Sequence, residues 1–253
     1  MALMPSPSVA VRTPAHRFLL VLLLAQIACS GLYASDSDTG AFQKDGERQF
    51  EEGRILLDAT TLTAARNSFA QCARQDPNNS RCFVDLARTE YYLVKVENIA
   101  RHTDASRKML DNAVADAQKA VALNDRSAEA HAVLADLYGA KITGMMSGMK
   151  FGPKASAETQ RALQLDPNDA LAYAVQGRKY LFSPGAFGGD VDKAIESFKH
   201  AVALDQHSDE DFVWLAKAYH KKGDAALEKE ALAQALRLSP RSVFAQRVQS
   251  GQE

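Results

Sequence analysis

The sequence carries almost no net charge: 30 lysines and arginines against 31 aspartates and glutamates leave −1 at pH 7 with histidine neutral. Nucleic-acid binding needs a basic field that displaces counterions from phosphates, so that class is excluded. Long apolar runs are scarce as well. Phe18–Ala28 has eleven residues, too few to cross about 30 Å of hydrocarbon as a helix. Catalytic spacings are also missing. None of His16, His102, His131, His200, His207 and His220 takes part in a His-Glu-x-x-His pattern, and there is no Gly-x-Ser-x-Gly elbow. Gly185–Asp190 lacks the Gly-Lys-Ser/Thr of a phosphate loop. Its Gly188-Gly189 reads instead as a positive-φ turn before Asp190, which can cap a helix. The residues therefore call for no enzyme, no cofactor and no metal. Met145, Met146 and Met149 carry thioethers that suit Cu(I), but no Cys or His stands near them. They read as flexible packing for a helix connection, plugging one end of a groove or greasing a partner surface.

What is present begins with the N-terminus. Arg12, His16 and Arg17 precede the apolar run, and Ser30, Gly31 and Ala34 follow it. Positive, then apolar, then small is the order of a secretory signal. Residues 1–34 are read as that signal, with cleavage after Ala34 and 35–45 as a flexible lead-in. The alternative is lipidation at Cys29 behind Gln26-Ile27-Ala28, which would tether an exported, periplasmic protein to the membrane.

Behind this leader the chain repeats itself. Five segments share an ending: Phe69 to Pro77, Ala120 to Asp125, Ala162 to Pro167, Ala201 to Gln206 and Ala235 to Pro240. The last interval is 34 residues, from Gln206 to Pro240, and the earlier ones are longer, with insertions expected in the turns within helix pairs. Ala194, Phe198 and Ala201, like Ala65, Phe69 and Cys72, stand at i, i+4 and i+7 and give an apolar face to each second helix. The first helices carry Ala135…Tyr138, Gly177…Tyr180 and Ala216…Tyr219, where a small residue admits a close neighbour. Asp-Pro-Asn at 76–78 and 166–168 ends one helix and starts the next.

These residues resemble the tetratricopeptide repeat (TPR), whose pattern is Leu-Gly-x2-Tyr followed by Ala-x3-Phe-x2-Ala-x4-Pro. The resemblance covers residues 46–240, divided 46–79, 80–127, 128–169, 170–208 and 209–240, with a capping helix and tail at 241–253. It implies an all-α, right-handed TPR-type helical solenoid of about five helix pairs: a non-enzymatic scaffold binding a protein or peptide in its concave groove at the bacterial envelope. Departures from the pattern are Cys72, Asp125, Thr159, Gln206 and Glu228. The stretches Gly144–Gly152 and Ser183–Asp190 resemble exported bacterial TPR proteins, among them the periplasmic T component of TRAP-type transporters. That likeness implies, as an alternative, a transporter partner and a small anionic or hydrophobic solute. They also resemble, more distantly, the helical-repeat domain of microtubule-dynamics regulators.

In the repeat, the residue after the small position of each first helix faces the groove. With Gly53, Ala87, Ala135, Gly177 and Ala216 as small positions, those residues are Arg54, Arg88, Asp136, Arg178 and Lys217. Four of the five are basic. They read either as a solvated face of mixed charge or as a ladder for an anionic segment or carboxylate. Tyr91, Tyr92, Leu181, Phe182 and Trp214 would add apolar contacts. The lysine of a chaperone-type clamp would stand at Phe50, Val84, Ala132, Ala174 or Val213, none of them basic. Cys72 and Cys82 fall on adjacent helices at positions close enough for a disulfide in an oxidising compartment. The alternative is two buried thiols.

Overall fold

The structure is a computed structural model that describes Met1 and residues 39–99 and 103–252. The leader, its cleavage site and Cys29 lie outside the described residues. Helices account for nearly all regular structure, and no strand occurs among the described residues. The first helix, α1, spans residues 39–56. It is followed by α2 (Ala59–Gln75), α3 (Ser80–Ile99), α4 (Thr103–Leu123), α5 (Ala128–Ala140) and α6 (Met145–Leu165). Then come α7 (Ala170–Phe182), a 3-10 turn at Gly185–Phe187, α8 (Val191–Leu204), α9 (Asp209–Lys222), α10 (Ala225–Leu238) and α11 (Val243–Gln249). Successive helices pair antiparallel, and the five pairs stack as a solenoid that α11 closes against α9 and α10.

Local chemistry sets the boundaries. Asp58, Ser127, Asp169, Ser208, Asp224 and Ser242 cap helices, each accepting a backbone N–H from the first turn. Between pairs the chain turns on an Asx motif. The side chains of Asp76, Asn124, Asp166 and Asp205 accept from the amide two residues later, at 3.3, 3.2, 2.9 and 3.0 Å. At Asp125 and Gln206, where proline is absent, the preceding side chain still holds the turn.

The small positions allow close helix contact. A Cβ built on Gly177 would lie 2.6 Å from the Phe198 ring, and one on Gly46 would lie 2.6 Å from Phe69. Gly53, the small position the pattern gives for α1, is a close-approach residue as well: a Cβ there would lie 2.8 Å from the Leu62 side chain and 3.0 Å from its backbone nitrogen. Gly46 and Gly53, seven residues apart, stand two helical turns apart on one face of α1, and Arg54 lines the groove. Between pairs three and four only Ala132, Ala162 and Ala172 meet in the buried centre.

The insertions correct one expectation. In pairs two and three the extra residues lengthen helices rather than turns: α3, α4 and α6 have 20, 21 and 21 residues against 14 in α9 and in α10. Thus Met145, Met146 and Met149 open α6, with Ser147 Oγ accepting the amides of Thr143 and Gly144. Only Ser183–Asp190 remains a connection. There Gly188 takes a φ of 84°, and Asp190 caps α8 by accepting from Asp192 and Lys193.

Candidate functional site

The first helices line a concave cavity of about 580 Å³. Curvature brings the fifth pair back toward the first, and α9 faces α1 and α3 across the space. Arg54 Nη1 reaches Asp209 Oδ1 at 2.8 Å. Lys95 Nζ donates to Glu210 Oε1 at 2.8 Å, and the Tyr92 hydroxyl donates to Glu210 Oε2. These three contacts form a clasp between distant repeats.

Of the sequence-derived positions, Arg54, Arg88, Tyr91, Tyr92, Asp136 and Arg178 line the cavity. Phe182, Trp214 and Lys217 are not among its lining. They gather at its flank, where Trp214 meets Phe182 edge-on at 5.8 Å, stacks on Phe198 at 6.5 Å, and lies 5.4 Å below Lys217 Nζ. Leu181 is buried in the core of pairs four and five and makes no groove surface.

The basic ladder is spent inside the protein. Arg178 forms a two-point pair with Asp136, at 3.2 Å through Nε and 2.9 Å through Nη2, so two ladder positions neutralise each other. Arg54 is held by Glu51 at 2.8 Å as well as by Asp209. Arg88 meets Glu129 at 3.0 Å, which Arg81 shares at 2.7 Å. Burial opposes the charge on Arg54, but Tyr92, Glu51 and Asp209 outweigh it and raise its pKa. Arg178 is likewise raised against burial, by Asp136 first.

Carboxylates are in surplus. The cavity lining holds Glu51, Glu129, Asp136, Asp169, Asp205, Glu210 and Asp211 against Arg54, Arg88, Lys95 and Arg178. Two of the acids contrast sharply. Glu210 stays well below the usual carboxylate range although burial pushes the other way, because Lys95 and Arg178 stabilise its anion. Asp211, buried one residue later, is pushed up to about 7 by burial, with Arg178 pulling down and Glu210 pushing up. No lysine or arginine nitrogen pairs with Asp211 among the described residues. The sequence reading missed Lys95, Glu129 and the run Asp209-Glu210-Asp211. Three acids at a helix start have a sufficient local explanation in the helix dipole, which hid their tertiary use.

In the core Cys72 and Cys82 are joined by a disulfide with Cα atoms 5.7 Å apart, tying α2 to α3.

The fold and the concave, helix-lined site define a tetratricopeptide-repeat protein, and residues 212–242 match the tetratricopeptide repeat itself. Residues 50–183, more than half of the chain, match the family described as regulator of microtubule dynamics protein 1-3; the chain belongs to that family. No functionally curated protein matches the sequence. Among solved structures, the first of the following supports the fold. TTC0263, a thermophilic TPR protein of Thermus thermophilus, is 21% identical and superposes with a TM-score of 0.61 over 82% of this chain and 98% of its own. MamA (41-end) from Desulfovibrio magneticus RS-1 is 16% identical, with a TM-score of 0.42 over 81% and 97%. YrrB, described as a TPR protein with an unusual peptide-binding site, is 17% identical, with a TM-score of 0.41 over 85% and 99%.

Proposed function

We propose that the protein is a non-enzymatic repeat scaffold whose cavity receives an extended segment of a protein partner, and that the segment inserts a lysine or arginine toward Asp211. The observation that carries this is the charge inventory: every lining arginine or lysine is already paired, carboxylates outnumber them, and buried Asp211 has no cation of its own. A cationic side chain would supply the missing partner through a charge-assisted hydrogen bond. A small anionic solute, by contrast, would have to displace Glu129, Asp136 or Glu210 from an existing bond. Tyr91, Tyr92, Val133 and Leu171 offer apolar surface to the rest of the segment. Membership of a family described as regulators of microtubule dynamics supports a regulatory scaffold rather than a catalyst. Export is part of the proposal. The charged, apolar and small order of residues 12–34 supports it, as does the Cys72–Cys82 bridge, which suits an oxidising compartment such as the periplasm.

The test is calorimetric titration with two extended peptides that differ only in bearing lysines or glutamates. The lysine peptide binds, and binding weakens with salt. Preference for the glutamate peptide would refute the charge assignment.

A further inference from the structure

Outside the cavity lining, one edge of the solenoid carries exposed apolar side chains, of which Phe182 meets Trp214 edge-on. The α5–α6 and α7–α8 connections lie on that edge together, because α5 and α7 run side by side in register, as the Asp136–Arg178 pair shows. At the first connection Ile142, Met145, Met146 and Met149 are exposed, Met146 at 87%. At the second, Phe182 and Phe187 are exposed, Phe187 at 61%. A Cβ built on Gly144, Gly152 or Gly185 meets nothing within 4 Å, so open space surrounds these positions.

Charge around the tips is one-sided. No aspartate or glutamate occurs between Asp136 and Glu158, whereas Lys141, Lys150 and Lys154 do. None occurs between Asp169 and Asp190 either, a stretch that contains Lys179. Lys141 is committed to Asp111 of α4. Lys150 and Lys154 have no carboxylate partner among the described residues and sit 5.2 and 5.6 Å from the rings of Phe151 and Tyr138. Acids return only at the flanks, where Asp190 faces Lys193 at 3.9 Å and Asp192 pairs with Lys222 at 2.6 Å. In a protein with a slight acid excess, two acid-free stretches that meet on one edge form a local basic fringe around apolar tips.

We infer that this edge docks on an anionic phospholipid bilayer: the Met145–Met149 and Phe182–Phe187 tips enter the interfacial region while Lys150 and Lys154 meet lipid phosphates. Unbranched methionines and phenylalanines on projecting tips suit shallow insertion, and long lysines extend to the headgroups around them. The charge complementarity favours an anionic membrane over a protein partner or a second copy. None of the tip residues lines the cavity, so a docked molecule keeps its groove free for a partner.

Flotation of the full chain with phosphatidylcholine vesicles, and with vesicles that are roughly a third phosphatidylglycerol, tests this. Every variant retains the N-terminal apolar run, so its contribution cancels in the comparison. Wild type partitions more strongly onto the anionic vesicles. Met146→Asp with Met149→Asp lowers partitioning onto them at least about tenfold. Lys150→Glu with Lys154→Glu lowers the anionic preference at least about 25-fold, since each basic residue multiplies binding about fivefold. Both variants keep the wild-type circular dichroism spectrum and melting temperature, because the altered residues are exposed. Variants that float like wild type overturn the assignment. So does an unchanged flotation accompanied by loss of self-association in sedimentation velocity, which would assign the edge to a second copy.

Discussion

Arg54 Nη1 and Asp209 Oδ1, 155 positions apart in sequence, meet at 2.8 Å and join the first helix to the ninth. Nearest-neighbour stacking alone would leave the two ends of a five-pair solenoid independent. This contact, with Lys95 and Tyr92 on Glu210, makes the fifth pair depend on the first two. The clasp walls one side of the cavity, so the cavity's shape and the stability of the clasp rise and fall together.

Glu210→Gln should loosen the clasp. The variant leaves Lys95 without its anion in a partly buried place, so destabilisation of about 2–3 kcal/mol is expected in urea unfolding at pH 7. The depressed pKa fixes the pH course. The wild-type contribution is full above the ordinary glutamate value of 4.5 and is lost as pH falls from there through the depressed folded value. The gap between wild type and Glu210→Gln therefore narrows on acidification below about 4.5.

Asp211 behaves in the opposite sense. Its folded pKa, about 7, stands above the ordinary 3.8, so the folded state holds a proton that the unfolded chain releases. That contribution favours folding at low pH and fades as pH rises from 3.8 through about 7. Asp211→Asn should stabilise the empty protein by about 1–3 kcal/mol at pH 8 and by less at pH 5. Melting temperatures at the two pH values check this.

Helix proximity gives a paired prediction. Gly177→Ala drives a methyl into the Phe198 ring and should cost about 1–3 kcal/mol, as should Ala201→Leu at a fully buried position. Gly139→Ala, on a helix with nothing within 4 Å of the new methyl, should gain about 0.5–1 kcal/mol. Chemical denaturation of the three variants separates the sites.

Reduction of the Cys72–Cys82 bridge should lower stability by about 2–3 kcal/mol. Intact mass with and without reductant, followed by melting of each form, measures both the bond and its effect.

The solenoid was legible because its signals are local and repeated: Ala65, Phe69 and Cys72 or Ala194, Phe198 and Ala201 mark a face whichever repeat they stand in. Cavity positions followed from the same periodicity, which is why Arg54, next to Gly53, came out on the inner face. The fate of those cations did not follow. Whether Arg178 is free or bound to Asp136 depends on a neighbour 42 positions away, and whether Arg54 is free depends on superhelical curvature, which no repeat pattern encodes. The insertions were misplaced for a related reason. Gly144 to Gly152 looks like a connection by its glycines, yet Ser147 caps a helix that runs through Pro153 to Leu165.

The central claim, that a partner's cationic side chain pairs with Asp211 inside the cavity, has a signature in protons. A carboxyl with a pKa of about 7 is partly protonated at neutral pH, and an incoming cation lowers that pKa and releases the proton. Titration of a lysine-bearing peptide at pH 7, in buffers of different ionisation enthalpy, should show net proton release from wild type and none from Asp211→Asn. Proton uptake on binding, or the same proton release from Asp211→Asn as from wild type, would contradict the account.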